Sequence, residues 1–360
     1  MKYAGSRIFR ALATALLLSA LGLVSACGGS GGESGGALSV RVVAAGDNIL
    51  HEQILRASRT EGGGYDFSGA YEPVRPLVEA ADFAYVNQET ICGGAGLRVS
   101  GWPEFNSPPE ALDALAGAGF DWISAATNHT LDRGEAGVRA ELEYLEENLP
   151  GLVCTGIHAS ATDRAAPKTV TVNGVTLGLA SYTYGLNGKE PPEGEEWLVD
   201  VIDEGRIGED LRALTAASDV QIVSLHWGEE YEKEPSGGQR ALAQKLADLG
   251  CDVILGTHPH VAQPMEILAG AGGGQTLVYY SLGNFLSAQD EPERLLGEMA
   301  RFTILYDPDT GTVSFEDAGA VPLVTHISKD FRTFAVYPRE GYTRELAAGH
   351  AYADALAGYL

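Results

Sequence analysis

Basic residues are scarce in this chain: 24 Lys+Arg stand against 49 Asp+Glu, a formal charge of −25 over 360 residues. That deficit argues against binding nucleic acid or anionic membrane surfaces, since both draw on clustered cations. Cysteine is also sparse, four in all, at spacings that match no zinc site. Beyond Cys27 there remain Cys92, Cys154 and Cys251, an odd set that allows at most one internal disulfide. Cys92 with Cys154 is the pairing open to an extracellular protein, whereas Cys251 sits in a buried-strand pattern and reads as core. Aromatic residues make up only 8%, and no internal repeat is visible. No apolar run spans a bilayer comfortably, because residues 11–24 fall short of the ~20 needed. The 45% hydrophobic fraction fits an ordinary α/β globular protein.

That short run is instead the centre of a leader. Lys2, Arg7 and Arg10 precede it, and it ends in Leu23-Val24-Ser25-Ala26-Cys27, which resembles the lipobox of bacterial lipoproteins. The resemblance implies a signal peptide over residues 1–26, cleavage before Cys27, and lipid on that cysteine. The mature protein would then be lipid-anchored on the extracytoplasmic face of the cell membrane, with plain secretion as the alternative. Residues 27–37 form a Gly/Ser tether, 38–325 the main domain, and 326–360 a C-terminal extension packing on it. Loss of the leader takes the charge from −25 to −28.

In the domain, strand patterns alternate with helix patterns. Residues 38–45 read as a strand ending at Gly46-Asp47, and 49–58 as a helix that Asp47 would cap. His51-Glu52 lacks the second histidine of a zinc-protease motif, so His51 reads as a bystander. Helical patterns cover 71–81, 108–116 and 134–148, and strand patterns cover 82–86 and 120–125. This alternation indicates parallel sheet. Asn173-Gly174 between two β-branched runs marks a hairpin. Residues 182–196 form a loop expected to line the site. A helix over 209–217, a strand over 220–225, a helix over 239–249 and strands over 251–255 and 277–282 follow. Residues 302–324 read as antiparallel, and 342–360 as a terminal helix.

The strand ends carry the chemistry. They deliver Asp47, Glu89, Asn128-His129, His226, His258-Pro259-His260 and Asn284. In extended backbone, residues two apart share a side, so His258 and His260 would face one point, stiffened by Pro259. Carboxylate, amide and imidazole together make an oxygen–nitrogen ligand set suited to Mn²⁺, Fe²⁺, Zn²⁺ or Mg²⁺.

The motifs Gly46-Asp47, Asn87-Gln88-Glu89, Ala126-Thr127-Asn128-His129-Thr130-Leu131-Asp132-Arg133-Gly134, His226-Trp227-Gly228-Glu229-Glu230-Tyr231, Gly256-Thr257-His258-Pro259-His260-Val261 and Tyr280-Ser281-Leu282-Gly283-Asn284-Phe285 occur in the order of the CapA family. The chain resembles these poly-γ-glutamate capsule synthesis proteins over residues 40–306. The resemblance implies a four-layer α-β-β-α sandwich of metallophosphatase type. It further implies metal ligation by Asp47, Glu89, Asn128, His226, His258 and His260 to one or two divalent ions, with Glu89 bridging. His129 would be the outer proton donor, oriented by Asp132. Trp227 and Asn284 are expected to shape the substrate pocket. The chain departs from the phosphatase pattern in two places: Ile49 stands where a histidine is expected, and Glu89 replaces the usual second aspartate.

If the site turns over, the expected reaction is metal-assisted in-line attack of water on a phosphoryl or related centre, with His129 protonating the leaving oxygen. Three functions fit. The first is synthesis or export of poly-γ-glutamate or another anionic polymer, alongside polymer-synthesis and export partners. The second is a surface phosphoesterase with no capsule role, and the third is metal-dependent binding without turnover.

Overall fold

The computed structural model describes residues 36–359. The leader, Cys27 and nearly all of the tether lie outside them. The described strands are β1 (Leu38–Asn48), β2 (Phe83–Gln88), β3 (Trp122–Ser124), β4 (Val153–Thr155), β5 (Lys168–Val172), β6 (Val175–Thr183), β7 (Val220–His226), β8 (Val253–Thr257), β9 (Ala262–Ala269), β10 (Gln275–Leu282), β11 (Asn284–Leu286), β12 (Leu296–Asp307), β13 (Thr312–Ile327) and β14 (Phe334–Pro338). They make two sheets. One has the order β14-β13-β12-β1-β2-β3-β4 with β11 also beside β1, and the other is β5-β6-β7-β8-β10-β9.

Period-two alternation explains how the sheets stack. Val40, Val42 and Ala44 of β1 join Phe83, Tyr85, Leu177, Ile222, Leu255 and Phe302 in a core between the sheets. Val43 and Ala45 point the other way, into a core shared with Leu112 and Leu115 of helix Glu110–Ala118 and with Tyr71. On the far side, Ile207 and Leu211 of helix Glu204–Ala217 and Leu242 and Leu246 of helix Gly237–Asp248 cover Val223, Ile254 and Val278. The result is the expected α-β-β-α sandwich.

Four parallel strands begin with the same device. Asp82, Asp121, Asp219 and Asp252 each stand one residue before β2, β3, β7 and β8. Each carboxylate accepts a backbone N–H from the neighbouring strand: Arg41 at 2.9 Å, Ala84 at 2.9 Å, Thr176 at 2.7 Å and Gln221 at 2.8 Å. Each aspartate also donates its own N–H to the carbonyl of that same residue. A ring of two bonds therefore fixes the register where each ladder starts.

The hairpin at Asn173-Gly174 forms with both residues at positive φ, 51° and 86°, as a two-residue turn requires. The helix over Gly134–Asn148 has the expected bounds. Other expectations are corrected. The pattern at 71–81 is two short helices, Ser68–Tyr71 and Arg75–Ala80, with Pro76 in the first turn of the second. The terminal helix is broken into Arg344–Gly349 and Ala353–Leu356. The break falls at His350, whose backbone bridges to Ser328 and whose Nε2 donates to the Thr325 carbonyl at 3.0 Å. Residues 326–360 are more than an extension, since β13 runs on to Ile327 and β14 pairs with it. Cys92 and Cys154 are both free thiols, and Cys251 is buried in the core.

Candidate functional site

All the functional strand ends lie at the C-terminal edge of the parallel strands, where open α/β sheets place their chemistry. A row of polar residues crosses each sheet there. In the first sheet Asn284 pairs with Asp47, Asp47 with Asn87, Asn87 with Ser124 and Ser124 with Thr155. In the second, Thr183 pairs with His226 and His226 with Thr257.

Asp47 reaches this row by a break in alternation. The odd residues Val43 and Ala45 face the helices, so an unbroken strand would send Asp47 the same way. The register shifts between Ala45 and Asp47, and the extra residue reverses the parity. Asp47 then faces the second sheet, while Asn48 bonds Tyr71 and Gln88 on the helix side. Gly46 makes the bulge feasible, because a Cβ there would sit 1.9 Å from the Gly283 carbonyl oxygen. That carbonyl accepts the Asp47 N–H at 2.9 Å. Asp47 is therefore no helix cap; the following helix starts at Glu52 with His51 at its cap position. His51 itself accepts the Ala288 N–H and stacks edge-on against Phe105.

The two histidines do not lie on extended backbone. β8 ends at Thr257, and His258 and His260 have φ of 95° and 60°. Left-handed backbone at two non-glycine residues is strained and is what turns both rings into the pocket, with centroids 5.7 Å apart. His260 Nδ1 lies 3.1 Å from Asp47 Oδ2 and 3.1 Å from Asn284 Oδ1, and its Nε2 lies 3.7 Å from Glu89 Oε1. Asp47 Oδ1 accepts from Asn87 Nδ2 at 2.9 Å, and both Asp47 oxygens accept the His258 N–H. His226 Nε2 stands 2.9 Å from Asn128 Oδ1, and its ring centroid is 4.8 Å from that of His258. All six expected ligands thus lie in one connected, buried cluster.

Burial lowers the His258 pKa to about 4, with His260 adding to the shift, and lowers His226 well below its ordinary value. Both rings are neutral at pH 7, the form that ligates metal. Burial also lowers His260, but the charge of Glu89 and the hydrogen bond and charge of Asp47 override it and raise the ring to about 9. Burial holds Glu89 well above the carboxylate range, opposed by His260 and reinforced by Asp47. A water-poor pocket with this many carboxylates retains positive charge, whether as a proton or as a cation.

The donor atoms fit a divalent ion. Those of Asp47, Glu89 and His260 lie within 4.8 Å of one another, as do those of Glu230, His258 and His260. Glu89 Oε2 and His258 Nδ1 are buried without a hydrogen-bond partner, an arrangement that a bound cation would satisfy.

His129 stands beside this cluster. Its Nδ1 donates to Asp132 Oδ2 at 2.7 Å, and the same oxygen accepts the Phe105 N–H at 2.7 Å. The Phe105 ring packs edge-on against the imidazole at 4.7 Å. The loop expected to line the site does so through Tyr184, 4.5 Å from the His258 ring, and Asn187, whose Oδ1 accepts from Asn128 Nδ2 at 3.3 Å.

Two expected pocket residues have other duties. Trp227 belongs to the core under helix Gly237–Asp248, stacked on Tyr280 and donating Nε1 to the Tyr280 carbonyl. Asn284 spends its Nδ2 on Gln289 and the Arg294 carbonyl and turns its Oδ1 to His260, so both polar atoms of its amide are engaged within the protein. Sequence reasoning passed over Asn87 and Glu230 as contributors, although both lie inside the motifs quoted above.

The family model described as bacterial capsule synthesis protein PGA_cap matches residues 41–289. The PGA biosynthesis protein CapA of Bacillus subtilis is 32% identical over 259 residues, covering 68% of this chain and 62% of that protein. The capsule biosynthesis protein CapA of Bacillus anthracis is 31% identical over 185 residues, covering 50% and 43%. The matches thus span about three-fifths or less of either relative's length. Among solved structures, a phosphatase of Mycoplasma pneumoniae aligns over 80% of this chain and 94% of its own with a TM-score of 0.50 and 13% identity, a likeness of fold. The matched span runs from β1 past the Asn284 turn and takes in every residue of the pocket, and on that ground the chain belongs to the bacterial capsule synthesis protein family, PGA_cap.

Proposed function

We propose that this protein acts in the biosynthesis or export of capsular poly-γ-glutamate or a related anionic surface polymer. It would be tethered to the outer face of the cell membrane through lipid on Cys27, with one or two divalent ions in the strand-end pocket. The observation that carries this reading is the coincidence of the family match, residues 41–289, with all six expected ligands and the His129–Asp132 pair. The relatives in the two Bacillus species are named for PGA and capsule biosynthesis. An anionic substrate would meet Arg294 at the rim, where its guanidinium lies 3.6 Å over the Tyr231 ring; among the described residues it forms no ion pair.

Asp47, Glu89, Asn128, His226, His258 and His260 would hold the ions, which would supply Lewis-acid polarisation of the group under attack. The chain's own residues do the rest. Asp132 fixes the ring of His129 and its Nδ1 proton, leaving Nε2 to deliver a proton to a leaving oxygen. Phe105 holds that ring from the side, and Tyr184 covers His258 from the solvent.

The second reading, a surface phosphoesterase with no capsule role, is favoured by the His129–Asp132 pair at 2.7 Å, since such a dyad has no evident use in passive binding. The test is a strain lacking the gene, complemented with wild type or with Glu89→Ala, and scored for surface γ-glutamate polymer. The capsule reading expects polymer to be restored by wild type and not by the variant. Normal polymer in the uncomplemented strain, together with phosphoester turnover by the purified protein, would replace it with the second.

A further inference from the structure

We propose that Glu230 is a metal ligand, the solvent-side carboxylate of a cation position it shares with His258 and His260. The inference rests on the pocket binding a divalent ion, but on neither a capsule role nor turnover.

The six-ligand set expected from the motifs leaves one place short, since Ile49 occupies the position where a histidine would follow Asp47. Ile49 is buried and offers no donor atom. Glu230 contributes an oxygen from another direction. Its carboxylate and the ring nitrogens of His258 and His260 lie within 4.8 Å of one another.

The placement is built into the backbone. The Trp227 N–H donates to the Thr257 carbonyl at 3.1 Å, and the Tyr231 N–H donates to the Pro259 carbonyl at 2.7 Å. Residues 227–231 are thereby stitched along the segment that carries the two histidines. Between those stitches Gly228 turns at φ 89°, where a Cβ would lie 2.7 Å from the Gln239 side-chain amide, and Tyr231 turns at φ 68°. Two left-handed residues in five, locked at both ends, hold the Glu230 carboxylate over the imidazoles.

A second observation points to a ligand rather than to an idle surface acid. His258 Nδ1 is buried with no hydrogen-bond partner, although Glu230 stands close by. An ion between them would engage both. Two imidazoles and a carboxylate suit Zn²⁺, Mn²⁺ or Fe²⁺ better than Ca²⁺. Glu230 is the exposed member of the group and His258 and His260 are buried, so Glu230 is the ligand that can swing aside.

Glu229 provides an internal control, being an exposed carboxylate one residue away that is absent from either ligand group. The experiment is equilibrium dialysis of the full-length protein and its variants against Mn²⁺ and Zn²⁺, with bound metal measured by elemental analysis and folding checked by circular dichroism. Glu230→Gln is expected to weaken binding at least ~10-fold at one position, taking the 10–100-fold loss for outer-shell partners as the floor. Glu229→Gln is expected to bind within about twofold of wild type, since only screened surface charge is lost. The Co²⁺-loaded form of Glu230→Gln should also show a changed visible spectrum. Wild-type affinity in Glu230→Gln, or equal weakening in both variants, overturns the assignment. If His260→Ala loses metal while Glu230→Gln keeps it, the inference falls and the pocket reading stands; if wild type binds neither ion, both fall.

Discussion

Glu141 lies in the middle of helix Gly134–Asn148, on the face turned into the protein, and is completely buried. Its Oε2 accepts the Cys92 N–H at 2.6 Å, and its Oε1 has no partner. Burial therefore raises the carboxyl from the ordinary 4.5 to about 7, with the Cys92 N–H pulling weakly the other way. A folded-state pKa above the unfolded one means that the folded protein binds the extra proton. The resulting stabilisation is complete below pH 4.5 and is lost as pH rises to about 7. At about 1.4 kcal/mol per pH unit, the loss is about 3 kcal/mol. Glu141→Gln keeps an acceptor for Cys92 and never ionises, so it should gain about 3 kcal/mol on wild type between pH 4 and pH 8. Other buried acids, such as Asp252, raised to about 7 by burial, titrate in both proteins and cancel in the difference. Burial pushes the Cys92 and Cys154 thiols far up, which keeps them out of this window. Urea unfolding at the two pH values measures the effect. With an m-value of ~3 kcal/mol/M, the variant's midpoint should move by ~1 M relative to wild type. A difference that stays constant from pH 4 to pH 8 would refute the claim that Glu141 ionises inside the fold.

Other outcomes concern the site and the anchor. His129→Ala should keep its metal and lose ~10²–10⁴ in rate on an ester with a poor leaving group. The loss should be smaller on a nitrophenyl ester, and an equal loss on both would show that His129 positions rather than protonates. Asn128→Ala, by contrast, should weaken metal binding, read by elemental analysis; unchanged metal content would remove Asn128 from the ligand set. Cys27→Ser should abolish lipid labelling and free the protein from the membrane fraction, whereas a variant that stays membrane-bound would exclude the lipid anchor.

The sheet core was legible because β1 alternates cleanly and because Asn173-Gly174 can form little but a tight hairpin. The strands β4, β9 and β14 were not. β4 has three residues, β9 carries Pro264 and lies at the sheet edge, and β14 follows a loop with no periodic signal. The six expected ligands could be picked out because each lies at or just past a strand end, which can be located from the sequence, and because the resemblance to the CapA family singles them out there. Their geometry could not. The bulge at Gly46 and the positive φ at His258 and His260 are imposed by contacts with Gly283 and with residues far along the chain. Glu230 was missed for a related reason. It looks like an ordinary surface acid until two backbone bonds set it over the histidines. Trp227 misled because its motif neighbours do face the pocket, whereas its own side chain turns back beneath β10.

The aspartate rings at the start of β2, β3, β7 and β8 have a consequence for where frustration can collect. At those four ladder ends the first N–H and C=O of each pair are matched, so the closed end of the sandwich is locally at peace. Asn87 Oδ1, Glu89 Oε2, Ser124 Oγ and His258 Nδ1, all buried and unmatched, lie at the opposite end of the same strands. Along these strands, unmet hydrogen bonding thus collects at the pocket end, away from the matched start. A protein arranged in this way can alter its working end without loosening the sheets, because the register of four parallel pairs, β1–β2, β2–β3, β6–β7 and β7–β8, is set before the chain arrives there.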